Sequence, residues 1–196
     1  MMTATPSEVH PLEPFLPSGS RLLLLGSFPP PRKRWKMDFF YPNPTNDMWR
    51  VMGLVFYSDK DHFFFKGSGG FRQEEIEAFL RDRGIALFDT AEEIRRLRSS
   101  ASDAFLEIVR PTDIGHLLDR IPQCHHIAAT GGKAFDLLCR YFHKDGDVPS
   151  GGRTEASYKE RRIALYRMPS TSRAYPLRLE LKASAYEGLM RQAGIL

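Results

Sequence analysis

The feature that most constrains this chain is the alternation of short apolar segments with longer stretches of helical periodicity. Each apolar segment is too short for an independent helix and is apolar at successive positions, as expected of a strand that helices cover on both faces. We predict four such strands, at residues 21–26, 84–88, 126–130 and 162–167. The alternation predicts an α/β protein, a three-layer α/β/α sandwich around a central, mainly parallel four-stranded sheet.

The stretches between these strands predict five helices. The first follows Thr45 and Asp47, which provide a cap and an acidic first turn, and buries a face that carries Trp49 and Phe56. The others are expected at residues 73–83, 112–120, 133–142 and 176–193, the last with Pro176 at its first position. Residues 57–71 and 144–160 interrupt the pattern, so we expect surface loops there, the second of them mobile.

Length and composition fit one globular domain. The chain has 196 residues, 42% of them hydrophobic and 27% charged, which argues against disorder and against a membrane protein. We expect one domain over residues 21–196 after an extended, proline-rich lead-in at residues 1–20, which lacks a signal-peptide pattern. A net charge of +4 permits a polyanionic partner. We expect a cytoplasmic monomer.

Several cofactor signatures are incomplete. The two cysteines, Cys124 and Cys139, are too few for a four-thiolate metal site and fit a reducing compartment. The sequence Gly131-Gly132-Lys133 lacks the upstream glycine and the following hydroxyl of a phosphate loop. Neither an HExxH nor a GxSxG motif occurs. We therefore expect no metal and no other cofactor.

The unusual residues of the chain lie directly after the predicted strands, at residues 27–46, 89–91, 131–133 and 169–175. In an open parallel sheet, ligands bind outside the carboxyl ends of the strands. Four segments here resemble, in order, the signature segments of the uracil-DNA glycosylase superfamily: GSFP at 26–29, FYPNPTNDMW at 40–49, GIALFD at 84–89 and PSTS at 169–172. Within that superfamily they are most similar to the hypoxanthine-DNA glycosylase branch.

The resemblance implies a monofunctional DNA glycosylase that everts a deaminated base, with hypoxanthine as the expected base, and cleaves its N-glycosidic bond with water. It assigns the catalytic role to Asn46, whose amide would orient water or bind the base. The expected partner is DNA that contains a damaged or deaminated base.

Five residues are expected to bind the base. Tyr41, with Phe40 as the alternative, offers an aromatic face, and the backbone N–H groups of Ser27 and Phe28 can donate to a base oxygen beyond the strand end. Asp89 either contacts a base edge or caps a helix over residues 90–95.

Two positions depart from the uracil-excising branches of the superfamily. Phe28 stands where most of those branches have Asp or Asn, and Met168 stands where they have His or Asn. Neither side chain can accept a proton or stabilise a charged base. These departures argue against strong uracil excision by the usual route.

Two groups of residues are expected to contact DNA phosphates. A basic run around Trp35 would lie close to DNA bound beside Asn46; it comprises Arg32, Lys33, Arg34 and Lys36. The late loop adds hydroxyl and amide groups and, in Arg173, a side chain at the position where the family presses a residue into the opened duplex; its members are Ser170, Thr171, Ser172 and Arg173. Alternatively, the loop only leads into the last helix. Arg95, Arg96 and Arg98 are expected at an exposed helix end.

Other functions stay open at the level of sequence. A glycosylase for uracil or another base, a non-catalytic nucleic-acid-binding module, or a hydrolase of free nucleosides would each keep a base cavity. Lys133, if it acted as a nucleophile, would form a Schiff base with the opened sugar and cut the strand. No feature of the sequence activates this lysine, which favours a monofunctional enzyme.

Overall fold

The main sheet of the protein has five strands in the order β3-β2-β6-β8-β7 in the computed structural model, which describes residues 6–97 and 105–196. The strands are β2 (Leu22–Gly26), β3 (Ile85–Asp89), β6 (His126–Thr130), β7 (Arg153–Tyr158) and β8 (Arg161–Met168). The first four strands in spatial order are parallel, and β7 pairs antiparallel with β8 at the edge. The mainly parallel sheet is confirmed.

The prediction of four strands is wrong by one, because β7 lies within the segment 144–160 that was expected to be a loop. Its sequence is RTEASY, and of its side chains only Ala156 is buried. A short edge strand needs few apolar residues, since only one of its sides pairs with the sheet. Hydrophobic periodicity therefore did not reveal it.

The core lies around the inner strand β2, where Leu22, Leu23, Leu24 and Leu25 are completely buried. Successive side chains of a strand point to opposite faces, so both faces of the sheet are covered. The helices that flank the sheet are α1 (Met48–Tyr57), α2 (Gln73–Arg83), α3 (Ile114–Arg120), α4 (Gly132–Tyr141) and α5 (Leu179–Gln192). Helix α5 packs against α1 and β8, and α4 packs against β6 and β8. No helix in the described ranges is long and apolar enough to cross a bilayer.

Four of the five helices begin close to the predicted residues, and α5 does not. Pro176 was expected at its first position, but Arg178 is extended, with φ −63° and ψ 150°, and the helix begins at Leu179. The backbone N–H of Leu177 donates to the Tyr175 carbonyl at 2.8 Å in the preceding turn. The late loop is therefore three residues longer than the sequence indicated.

A second, antiparallel sheet replaces the helix that was weighed for residues 90–95. It consists of β1 (Ser7–Val9), β4 (Ala91–Arg96) and β5 (Leu106–Pro111), in the order β1-β4-β5. Ala91 and Ile94 are both fully buried although they are three residues apart, a spacing typical of a helix. Register shifts between Ala91 and Ile94 add a bulge, which brings both side chains to the same face of the strand. The spacing of these two buried residues therefore does not mark a helix.

The second sheet also corrects the expected exposed helix end. Arg96 is nearly buried, pairs with Glu8 at 2.9 Å and donates to the Pro29 carbonyl at 2.6 Å. Arg95 lies in the same strand and pairs with Glu107, whereas Arg98 lies outside the described residues. The lead-in therefore packs onto the domain through β1 and Glu8.

We expect Leu24→Ala to lower the free energy of unfolding by about 2–5 kcal/mol, because it removes a fully buried side chain from the inner strand β2. Leu181→Ala, at a side chain that is 54% exposed on α5, should change stability by less than about 0.5 kcal/mol. Denaturant unfolding followed by circular dichroism measures both. Equal losses in the two variants would contradict this account of the core.

Candidate active site

A cavity of about 340 Å³ opens at the carboxyl ends of the parallel strands. Its walls come from residues 26–30 at the end of β2, residues 39–43, 45 and 46 before α1, and residues 170–174 after β8, with Leu12, Arg34, Asp89 and Thr130 completing them. These segments are far apart in sequence and meet because parallel strands end at the same edge of the sheet. Three of the four segments that the sequence singled out therefore line the cavity, and residues 131–133 do not.

The segment before α1 and the loop after β8 are joined directly by backbone hydrogen bonds. Asn46 and Ser172 form an antiparallel bridge, and the Asp47 N–H donates to the Thr171 carbonyl at 2.7 Å. The Arg173 N–H donates to the Thr45 carbonyl at 3.3 Å. These contacts make the two loops one continuous wall.

A buried ion pair holds this wall from behind. The Lys182 ammonium lies 3.1 Å from Oδ2 of Asp47 and donates to the Ser172 carbonyl at 2.8 Å, while Arg173 donates to Oδ1 of Asp47 at 3.0 Å. The Lys182 side chain is 1% exposed and the Asp47 side chain 9%. Burying a lysine is costly unless it is paired. Any movement of the loops that separated Lys182 from Asp47 would therefore cost free energy, and the pair stabilises the observed loop geometry.

Sequence reasoning missed the role of this ion pair. It assigned Asp47 to the acidic first turn of a helix, and it did not consider Lys182. A signal was present, because Lys182 lies on the apolar stripe of α5, three residues after Leu179 and four before Tyr186. A lysine inside an apolar stripe is unusual and indicates a buried partner.

Tyr186 supports the same loop from the helix side. It is completely buried, and its hydroxyl donates to the Pro169 carbonyl at 3.1 Å. Burial raises the pKa of Tyr186 well above its ordinary value, so the hydroxyl stays protonated and keeps donating.

Arg50, on α1, has a pKa below its ordinary value, first because of burial and then because of the positive charge of Arg173.

Asn46 lines the cavity one residue before the Asp47 N-cap of α1. Its Oδ1 accepts a hydrogen bond from the Met48 N–H at 2.9 Å, whereas Asp47 makes no side-chain cap. Thr45 therefore does not cap this helix as expected, and Asp47 lies at the N-cap position rather than in the first turn. This backbone donor identifies the amide oxygen as Oδ1 and holds it in place. The other end of the amide is Nδ2, which can only donate hydrogen bonds.

The predicted base-binding residues all line the cavity, but they differ in exposure. Tyr41 adopts a left-handed backbone conformation with φ 53°, and its hydroxyl lies 3.2 Å from Oγ1 of Thr130. Phe40 is only 3% exposed and packs on Phe39 and Phe88 in the core. Ser27 is nearly buried as well. The partly exposed Tyr41 is thus the more accessible aromatic face.

Phe28 and Met168, the two departures from the uracil-excising pattern, lie in different surroundings. Phe28 lines the cavity and packs against the core of the second sheet. Met168 is the last residue of β8, is 2% exposed and does not line the cavity. Of these two residues, only Phe28 therefore affects the polarity of the cavity.

Asp89 ends β3 and does not cap a helix, so the capping interpretation is wrong. Its Oδ2 accepts a hydrogen bond from Nε2 of His10 at 2.9 Å, and the two side chains are only 9% and 3% exposed. A Cβ atom at Gly26 would lie 2.2 Å from Oδ1 of Asp89, so a larger residue at position 26 would displace the carboxylate. His10 belongs to the lead-in, and no sequence signal pointed to it.

The late-loop residues face the cavity mainly through groups that already hold the loop together. Oγ of Ser170 accepts from the Ser172 N–H at 3.2 Å, and Oγ of Ser172 accepts from the Ala174 N–H at 3.2 Å. Thr171 is 1% exposed, whereas the Arg173 side chain is half exposed. Of these side chains, Arg173 is the most accessible to a ligand outside the cavity.

The basic run forms a rim beside the cavity. Arg32, Lys33 and Arg34 form one exposed turn of 3-10 helix, and Lys36 is exposed just after it. Arg34 lines the cavity itself. Trp35 anchors the turn through a hydrogen bond from Nε1 to the Pro30 carbonyl at 2.7 Å. Positive side chains therefore surround one side of the cavity mouth.

Lys133 lies outside the cavity wall, and its ammonium donates to the Leu106 carbonyl. Among residues 6–97 and 105–196, no three side chains of the metal-ligating types form a group that could hold an ion.

Comparison with known proteins shows what this arrangement resembles. The chain matches no protein-family model and no curated protein sequence. Among solved structures it is similar to the solution NMR structure of "a putative Uracil DNA glycosylase from Methanosarcina acetivorans", with 21% sequence identity and a TM-score of 0.60. The match covers 92% of this chain and 97% of the other. At this identity, the likeness shows that the two chains share a fold over nearly their whole length.

We expect Lys182→Met to lower the free energy of unfolding by about 3–5 kcal/mol, because it leaves the buried Asp47 carboxylate without its closest buried partner. Lys60→Met should cost less than about 1 kcal/mol, since Lys60 pairs with Asp61 at the surface. Urea unfolding at neutral pH provides both values. A loss below about 1 kcal/mol for Lys182→Met would show that the ion pair does not stabilise the loops.

Proposed function

We propose that this protein is a monofunctional DNA glycosylase that removes a deaminated base, hypoxanthine first among them, by attack of water on the N-glycosidic bond. The observation that carries the proposal is the single cavity in which the loops after the first and last parallel strands meet through the Asn46–Ser172 bridge. The shared fold with the protein described as "a putative Uracil DNA glycosylase" supports the reaction class.

The size of the cavity suits one everted base. Ligand cavities span roughly 300–1,000 Å³, and the value of about 340 Å³ lies near the lower end of that range. A flipped base needs an aromatic face and hydrogen-bonding groups at its edge. In our proposal Tyr41 supplies the face, with Phe40 behind it, and the backbone N–H groups of Ser27 and Phe28 donate to a base oxygen.

Asn46 is the proposed catalytic residue. Breaking the glycosidic bond leaves negative charge on the base and positive charge on the sugar. Because Oδ1 of Asn46 is held by the Met48 N–H, the Nδ2 group can stabilise the departing base or hold the water oxygen, but it cannot accept a proton from that water. We therefore assign Asn46 to stabilisation of negative charge in the transition state.

Asp89 favours a deaminated base on chemical grounds. A carboxylate oxygen accepts a hydrogen bond, and hypoxanthine offers an N1–H donor next to its carbonyl oxygen. Adenine carries a lone pair at N1, which a carboxylate repels. Phe28 lies where the resemblance would place a water-orienting Asp or Asn in uracil-excising branches, so hypoxanthine is a better candidate than uracil.

Binding of DNA as the substrate is supported by the charged rim. Arg32, Lys33, Arg34 and Lys36 lie beside the cavity mouth, where they can contact phosphates without reading sequence. Arg173 is the residue proposed to press into the opened duplex. The position of Lys133 outside the cavity wall supports cleavage by water rather than through a Schiff base. We propose that the enzyme acts as a monomer in the cytoplasm.

Asn46→Ala should reduce excision of hypoxanthine by about a hundredfold or more, the scale expected for loss of one donor to developing charge. Oligonucleotides with one hypoxanthine, uracil or xanthine are incubated with the protein, and abasic sites are then cleaved with alkali. Intact strands for all three bases would overturn the proposed function.

A matched control separates catalysis from stability. Asp113→Ala removes the side-chain hydrogen bond to the His116 N–H at the start of α3, a capping contact whose loss costs about 1 kcal/mol. Excision by this variant should stay near that of the parent. If Asn46→Ala and Asp113→Ala lose the same small amount of activity, Asn46 has no catalytic role.

The double variant Lys33→Ala, Lys36→Ala should flatten the dependence of log K for DNA binding on log salt concentration by about 2, since each phosphate contact contributes about 0.9 to the slope. Fluorescence anisotropy with labelled duplex at several salt concentrations measures the slope. Lys144→Ala is the control, because Lys144 follows α4 and does not line the cavity. An unchanged slope in the double variant would place the DNA elsewhere.

A further inference from the structure

The Asp89 carboxylate presents two different oxygens. Oδ2 accepts the hydrogen bond from Nε2 of His10 at 2.9 Å, whereas Oδ1 has no hydrogen-bond donor in the described parts of the chain. Oδ1 lies against Gly26, a residue of the cavity wall, and the whole Asp89 side chain is 9% exposed. One acceptor atom of this carboxylate is thus committed and the other is available to a ligand.

His10 is held so that its Nε2 faces Asp89. The backbone N–H and carbonyl of Leu12 lie 3.2 Å and 2.8 Å from Nδ1, and the His10 N–H donates to the Glu92 carbonyl at 2.8 Å. The ring packs between Phe28 and Phe88, with centroid distances of 5.2 Å and 4.6 Å. The imidazole therefore has little freedom to turn away from Oδ2.

This arrangement bears on the difference between hypoxanthine and guanine. Both bases carry a carbonyl oxygen and an adjacent N1–H, and guanine adds a 2-amino group. A carboxylate with two available oxygens accepts from N1–H and the 2-amino group of guanine at once. When His10 already donates to Oδ2, the guanine amino group has to share that oxygen with the imidazole, which weakens both hydrogen bonds, whereas the N1–H of hypoxanthine pairs with Oδ1 alone.

We propose that His10 makes the cavity discriminate against guanine by occupying Oδ2 of Asp89. The inference rests on the proposed function and concerns the choice of substrate within it. His10 is a positioning residue that acts through Asp89. Selectivity of this kind is required, because every guanine in DNA presents the same N1–H and carbonyl group as hypoxanthine.

The test compares two duplexes that differ only by the 2-amino group. Each carries a 2′-fluoroarabino nucleotide, which resists cleavage, with hypoxanthine or guanine placed opposite thymine in the same wobble geometry. Dissociation constants are measured by fluorescence anisotropy for the parent, His10→Phe and His10→Gln. The parent is also assayed for excision of hypoxanthine from an ordinary deoxyinosine duplex.

We expect the parent to bind the hypoxanthine duplex at least tenfold more tightly than the guanine duplex. His10→Phe keeps an aromatic ring but removes the donor, so the preference should fall by about tenfold through tighter relative binding of guanine. His10→Gln can still donate to Oδ2 and should retain the preference. If the phenylalanine variant does not fold, His10→Asn replaces it, since its shorter amide does not reach Oδ2.

The outcomes separate this inference from the proposed function. No excision by the parent would overturn the proposed function, and the role of His10 with it. Excision by the parent together with an unchanged preference in His10→Phe would overturn only the role of His10. Equal weakening of both duplexes would likewise show that His10 is structural, because a general loss of packing does not alter the ratio.

Discussion

The buried ion pair between Lys182 and Asp47 is the interaction on which the geometry of the cavity depends. Lys182 also binds the Ser172 carbonyl, and Asp47 also accepts from Arg173, so one pair fixes the start of α1, the late loop and α5 relative to one another. The charges are excluded from water, and each stays paired only while both loops keep their positions. The position of Asn46 follows from this, because its neighbour Asp47 is the anchored residue.

The opposite side of the cavity depends on the second sheet and the lead-in. Residues 7–9 pair with β4, Arg96 ties Glu8 to the Pro29 carbonyl, and His10 reaches the end of β3. The loop after β2 is thus fixed by a segment that precedes it by almost twenty residues. The parallel strands end in a row at one edge of the main sheet, and the smaller sheet covers one side of that row to form the cavity. An acidic residue, Asp89, lies inside the cavity, and the basic turn Arg32–Arg34 lies at its mouth.

The parallel strands were predictable because each consists of successive apolar residues between turn residues. The edge strand β7 and the strand β4 were missed for different reasons: β7 buries a single side chain, and β4 has a bulge that gives its two buried residues helical spacing. The strand-end segments of the site were also predictable, since they follow directly from the parallel sheet. Lys182 and His10 were not, because neither lies in a strand-end segment and each acts through a partner more than seventy residues away.

The amino-acid sequence by itself determined the mainly parallel α/β framework and the edge of the sheet where polar and aromatic residues gather, because apolar periodicity and strand direction are local properties of the chain. Only the tertiary structure decided which of those residues share a wall, that the side-chain oxygen of Asn46 and one oxygen of Asp89 already accept hydrogen bonds, and that the lead-in supplies His10. Hydrogen bonds and ion pairs between distant segments depend on distances of about 3 Å in three dimensions, and such distances leave no regular spacing in one dimension.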